Sequence, residues 1–128
     1  MNSDEHREGI WIPGARFEAT VSPDRTSAEI YDRELYGRLQ GLDSSGLREL
    51  ITTIVAIKTD MYKWKKAGIE SWGRFRGYVS MNLKRADIRD NNPPEPNKGV
   101  IIALKPEDVD ELHELATVLL ETMEVEPV

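Results

Sequence analysis

Cysteine is absent from the 128 residues, which excludes disulfides and thiolate metal sites and suits an intracellular, cytoplasmic setting. Histidine is nearly absent. His6 sits in the N-terminal stretch, and His113 is read as a solvated residue on a helix's outer face. A zinc site therefore lacks ligands, and no metal is expected. No run approaches 18 apolar residues, so no membrane span is expected. The opening MNSDEHREG is acidic and has no apolar h-region. It does not read as a secretory signal, and residues 1–8 are expected to form a loose tail. There is no P-loop, nucleophile elbow or Gly-rich dinucleotide turn. The expectation is a non-catalytic chain without a cofactor.

What is present suits one soluble domain over residues 1–128. Apolar residues make up 39% and charged residues 31%, a globular rather than a disordered balance. The net charge of −6 hides a partition. Residues 1–57 carry net −4, residues 58–89 net +6 and residues 90–128 net −8. A cationic middle fits an anionic partner. It equally fits helix-dipole complementarity, with Lys58, Lys63, Lys65 and Lys66 closing one helix and Glu107, Asp108, Asp110 and Glu111 opening another.

The chain also resembles itself. At an offset of 58, residues 15–32 fall on 73–90 with seven identities in eighteen positions, against about one or two expected from average usage. At an offset of 65, LRELIT (Leu47–Thr52) lies on LHELAT (Leu112–Thr117) with four identities. The seven extra residues then fall near Asn91–Lys98, a place for a loop insertion.

Each copy reads β-β-β-α. Phe75, Gly77, Val79, Met81 and Leu83 alternate with Arg74, Arg76, Tyr78, Ser80 and Asn82, the period of a half-buried strand. Ala86 and Ile88 then point inward while Arg85, Asp87 and Arg89 point outward. Gly99–Leu104 reads as a short apolar strand, and Pro106 opens a helix to about Met123. Its core stripe is Val109, Leu112, Ala116, Leu119 and Met123. In the first copy, Phe17, Ala19 and Val21 face inward, Ala28 and Ile30 resume, and Leu35–Leu42 forms the third strand. A helix capped by Asp43 or Ser44 follows, with the stripe Leu47, Leu50, Ile51, Ile54, Lys58 and Met61. The expected fold is α+β: repeats over 9–67 and 68–125 pair as an intramolecular pseudo-dimer, with antiparallel sheets backed by two helices.

ADIRDNN, Lys98-Gly99, a short apolar strand and Pro106-Glu107-Asp108 opening a helix come in an order that resembles the positive cofactor four domain. Residues 73–123 carry this resemblance, and the internal repeat extends it to 15–61. That family and the related Whirly and Pur-type proteins have curved antiparallel sheets backed by helices and bind single-stranded nucleic acid. The resemblance therefore implies a single-stranded DNA- or RNA-binding module, such as a transcription or replication accessory protein. The first copy departs from the pattern. Glu18 stands where the second has Arg76, Thr20 where it has Tyr78, and Thr26 and Ser27 where it has Lys84 and Arg85.

The candidate binding residues are Arg74, Arg76, Tyr78, Asn82, Lys84 and Arg85, with Trp72 (and Trp64) as added stacking surface. Cations meet phosphates, and an aromatic ring stacks on a base. The plainer reading is a solvated strand face, with Tyr as a good strand former and both tryptophans packed at the join. The other functional reading is a protein-interaction or regulatory module, for example a small phage or plasmid accessory factor, using its acidic helix or a sheet edge. Either could be a monomer or a homodimer.

Overall fold

The computed structural model describes residues 9–63, 69–80, 84–93 and 99–124, with backbone alone for 60–63 and 69–72. Eight strands and two helices follow in the order β1 (Ile10–Ile12), β2 (Phe17–Val21), β3 (Ala28–Asp32), β4 (Arg38–Leu42), α1 (Ser44–Lys63), β5 (Ile69–Trp72), β6 (Phe75–Val79), β7 (Ala86–Asp90), β8 (Val100–Leu104) and α2 (Pro106–Glu124). The class is α+β. The element order is β-β-β-β-α twice rather than β-β-β-α. The added strands β1 and β5 are three and four residues long, too short for alternation to mark them.

The strands form one antiparallel sheet in the order β1-β2-β3-β4-β8-β7-β6-β5. β2 and β3 correspond to β6 and β7 at the offset of 58, with matching register: Phe17 pairs with Asp32 and Phe75 with Asp90. Beyond β7 the offset is 62, not 65, since Arg38–Leu42 stands where Val100–Leu104 does. The β7–β8 connection is therefore four residues longer than the β3–β4 connection. An error of three shifts a helix by nearly one turn, which keeps its apolar stripe in phase and disguises the slip. The Tyr36 amide donates to the Asp32 carbonyl at 2.9 Å and the Asp32 amide to the Gly37 carbonyl at 2.8 Å, closing a turn over 33–35, so β4 begins only at Arg38.

Both helices pack on one face. Phe17, Ala19, Val21, Ala28, Ile30, Leu39 and Leu42 meet Phe75, Val79, Ala86, Ile88, Ile101 and Leu104 in a single core beneath them. Alternation produces this face, and the opposite positions are exposed or half-buried. The α1 stripe is Leu47, Leu50, Thr53, Ile54 and Ile57, all fully buried. Ile51 is only partly buried, and Ile57 takes the place expected for Lys58. Gly77 lets α1 approach β6, because a Cβ there would lie 2.8 Å from Ile57 Cδ1 and 3.1 Å from Thr53 Cγ2. Asp43 caps α1 by accepting the Gly46 amide at 2.7 Å. Asp108 accepts the Lys105 amide at 3.0 Å, closing the first turn of α2 behind Pro106. No described helix is long and apolar enough to cross a membrane.

The middle of the sheet is its thinnest part. β4 and β8 share one paired position, Arg38 with Val100. Two arginines span this seam. Arg16 grips Asp32 with both carboxylate oxygens (3.0 and 2.8 Å). It also donates to the carbonyls of Ile102 (2.8 Å) and Ala103 (3.1 Å) and to Asp108 (2.8 Å). Arg74 binds Asp90 at 2.8 Å and donates to the carbonyls of Gln40 (2.6 Å) and Gly41 (2.7 Å). Both carbonyl pairs lie at a register shift opposite β3 or β7. There Gly41 (φ 62) and Ala103 (φ 56) take the left-handed conformation. Each bulge frees carbonyls from the ladder, and an arginine from the other half of the chain takes them. Each guanidinium also stands 5.1 Å over the next ring, Phe17 or Phe75.

Burial alone would raise the Asp32 carboxyl, but hydrogen bonds from Arg16 and the Glu34 and Leu35 amides outweigh it and hold the group below its ordinary range. Arg16 is 4% exposed and Asp32 fully buried. Truncating Arg16 strands a buried carboxylate, so Arg16→Ala should lower unfolding stability by about 3–5 kcal/mol. Arg74→Ala should cost less, about 1–3 kcal/mol, because Arg74 keeps 19% exposure. Urea unfolding of both variants checks the order.

The helices lie antiparallel, joined by Arg48–Glu124 at one end and Lys58–Asp110 (3.1 Å) further along. Lys58 Nζ lies 3.1 Å from His113 Nδ1. An ammonium can only donate, so Nδ1 is the acceptor and Nε2 carries the proton. His113 is therefore half-buried and partnered rather than solvated, and at the offset of 62 its counterpart is Ile51. Burial, then the Lys58 charge, lower its proton affinity against an opposing effect of Asp110. A histidine that is a weaker base folded than unfolded contributes stability in full above its unfolded value near 6.5. That contribution is lost as pH falls through 6.5 and past the folded value. The urea midpoint should fall across this window, and His113→Gln should flatten that part of the profile.

Candidate nucleic-acid interface

The face turned away from the helices is covered by no described element. Registers across it place Glu18, Tyr31, Arg38, Val100, Arg89 and Arg76 in one row perpendicular to the strands, each paired with the next. All alternate with the buried row of Ile30, Leu39, Ile101, Ile88 and Gly77. Beside the row lie Tyr78, 46% exposed, and Ile102, 43% exposed.

The acids on this face are committed elsewhere. Glu18 accepts the Trp11 indole N–H at 2.7 Å. Asp87 accepts the Ala103 amide at 2.9 Å. Glu29 accepts from Gln40 at 3.2 Å and reaches Arg38 only at 3.9 Å. Arg38 also stands 5.2 Å over the Tyr31 ring. Arg76 and Arg89 are exposed, sit directly opposite each other on β6 and β7, and have no ion-pair partner among the described residues. Like charges at opposed strand positions destabilise a sheet.

The expected site residues separate. Arg76 and Tyr78 stand together on the open face. Arg74 precedes β6 in the turn and does not share that face. Its guanidinium is occupied by Asp90, Gln40 and Gly41, because the strand begins one residue later than the alternation suggests. Lys84 and Arg85 are exposed at the approach to β7. The Arg85 amide donates to Ser80 Oγ at 3.1 Å. Trp72 closes β5 opposite Phe75 in the backbone ladder. Asn82 and Trp64 lie outside the described residues, as does His6. Arg89 and Arg38 share the open face with Arg76 but were not among the sequence-based candidates. Alternation in ADIRD turns Arg89 outward, but its placement against Arg76 needs the cross-strand register.

No metal-holding cluster of His, Asp and Glu occurs among the described residues. In comparisons with known proteins, no family model matches the chain, and no curated protein or solved structure matches it.

The opposed arginines make a stability test. Arg89→Glu creates an opposite-charge pair with Arg76 and should raise stability by about 0.5–1 kcal/mol. Arg89→Lys should leave it nearly unchanged. Thermal or urea unfolding of both variants reads the difference.

Proposed function

We propose that this chain is a non-catalytic module that binds single-stranded nucleic acid on the open face of its sheet. The observation that carries the reading is the pair Arg76 and Arg89, which has no ion-pair partner among the described residues, beside exposed Tyr78. A sheet that retains two opposed guanidiniums at a cost in stability is well suited to an anion that neutralises them. Phosphates supply the anion and bases supply a face for the tyrosine. The resemblance of residues 73–123 to the positive cofactor four, Whirly and Pur-type families supports the same reading. So does a tandem interpretation of the fold, as two β-β-β-β-α units paired as an intramolecular pseudo-dimer. What supports that interpretation is the exchange of contacts across the seam. Arg16 takes carbonyls 102 and 103 while Arg74 takes carbonyls 40 and 41, as equivalent positions do in a twofold interface.

The test is a titration of the intact chain with short thymidine and uridine oligonucleotides, followed by tryptophan fluorescence at low and moderate salt. Micromolar binding that weakens steeply with salt is expected. It should be lost in Arg76→Ala/Arg89→Ala, a variant that leaves the seam untouched. No binding even at low salt overturns the reading and favours a protein partner. The exposed loop residues Leu35 and Tyr36, 48% and 75% accessible with Tyr36 at φ 65, favour that second reading. A cytoplasmic accessory or regulatory role is compatible with both.

A further inference from the structure

The two halves of the open face carry opposite equipment at equivalent positions. Glu18 stands where Arg76 does, Tyr31 where Arg89 does, Thr20 where Tyr78 does and Glu29 where Asp87 does. The cations are nevertheless not confined to the second half. Arg38, on the first half's innermost strand, joins Arg89 and Arg76 in the same row through Val100. Strand spacing puts adjacent positions about 5 Å apart and Arg38 about 10 Å from Arg89. Arg38 has only a loose acid partner, Glu29 at 3.9 Å, and such an exposed pair is readily exchanged for another anion. Beyond Arg38 the row meets the Tyr31 ring and then the Glu18 carboxylate, which the Trp11 indole fixes in place.

We infer that the face takes one anionic strand per chain, laid across the β-strands along Arg76, Arg89 and Arg38, and that Glu18 ends the track. This rests on the nucleic-acid reading above and adds an extent, a direction and a boundary to it. Three arginines on three phosphates give a salt slope (log K against log salt) of about −2, at about 0.7 per phosphate for a single strand. The first half does not offer a second, equivalent site, because Glu18 and Glu29 would meet phosphates where guanidiniums should.

The probe is an eight-nucleotide thymidine oligonucleotide, titrated over a salt series against the wild-type chain and three variants. Arg38→Gln keeps a polar side chain in place and should reduce the slope to about −1.4. Glu18→Arg extends the track by one cation and should steepen it to about −2.8. Arg76→Ala/Arg89→Ala should lose micromolar binding, as above. A wild-type stoichiometry of one strand per chain is expected. If the double variant loses binding while Arg38→Gln matches wild type, the reading stands and the track across the seam is wrong. If Glu18→Arg leaves the slope unchanged, Glu18 is not the boundary. If the wild-type chain does not bind the oligonucleotide, the track falls with the reading. Circular dichroism of each variant separates lost binding from lost fold.

Discussion

The sheet depends on two arginines that do not belong to its ladder. Eight strands are continuous only because β4 and β8 meet, and they meet at one paired position. A ladder that narrow is a weak joint between two four-stranded pieces. Arg16 and Arg74 reinforce it from opposite ends, each anchored to a carboxylate in its own half and each donating to two carbonyls in the other. Those carbonyls are available because bulges at Gly41 and Ala103 release them. The bulge, the arginine and the aspartate therefore act as one device. Removing any part leaves a buried polar group without its partner.

The halves share this device but not its accessories. Asp108, at the start of α2, adds a second carboxylate to Arg16. The equivalent position on α1 is Gly46, whose Cα leaves room beside the Arg74 guanidinium. Arg16 is accordingly sealed while Arg74 keeps some access to solvent. Similarly, Glu111 on α2 accepts the amides of Arg16 and Phe17, and Glu49 on α1 lies against Gly73. The two halves resemble each other in scaffold and differ most on the face turned from the helices, where Glu18 and Tyr31 occupy the positions of Arg76 and Arg89. Packing against the helices constrains the first set, whereas nothing described packs on the second.

The sequence revealed what depends on short-range periodicity. Alternation in FEATV and FRGYV gave the buried faces of β2 and β6, and the helical spacing of Val109, Leu112, Ala116, Leu119 and Met123 gave the buried stripe of α2. It was silent wherever the answer depends on what lies across the sheet. Arg74 looked like a binding residue because arginine before an alternating strand has the right chemistry. Its partners Gln40 and Gly41 are more than thirty residues away and join it through their carbonyls, which carry no side-chain signature. Arg89 carries no local mark for the converse reason: its place opposite Arg76 is fixed by a turn that local pattern does not size. The offset of 65 in place of 62 has the same origin. Three residues nearly complete a helical turn, so Leu47 and Leu112 look equivalent by stripe when the strands before them make Leu47 equivalent to Val109.

A net charge of −6 argues at first sight against an anionic ligand, yet charge acts at a distance that the architecture controls. The acids of α2, namely Glu107, Asp108, Asp110, Glu111 and Glu114, belong to the helix layer, on the far side of the sheet. A packed layer separates elements by about 10 Å, comparable to the Debye length of about 8–10 Å at physiological salt. Much of that acidity is also internally engaged: Asp108 with Arg16, Asp110 with Lys58, and Glu111 with backbone amides. A strand approaching the open face meets Arg38, Arg89 and Arg76 at contact range and the helix acids only through screening. On the proposed nucleic-acid reading, the overall negative charge would slow non-specific encounter more than it would weaken a docked contact. A sheet with one cationic track and an acidic back would bind a strand in one place and repel it elsewhere.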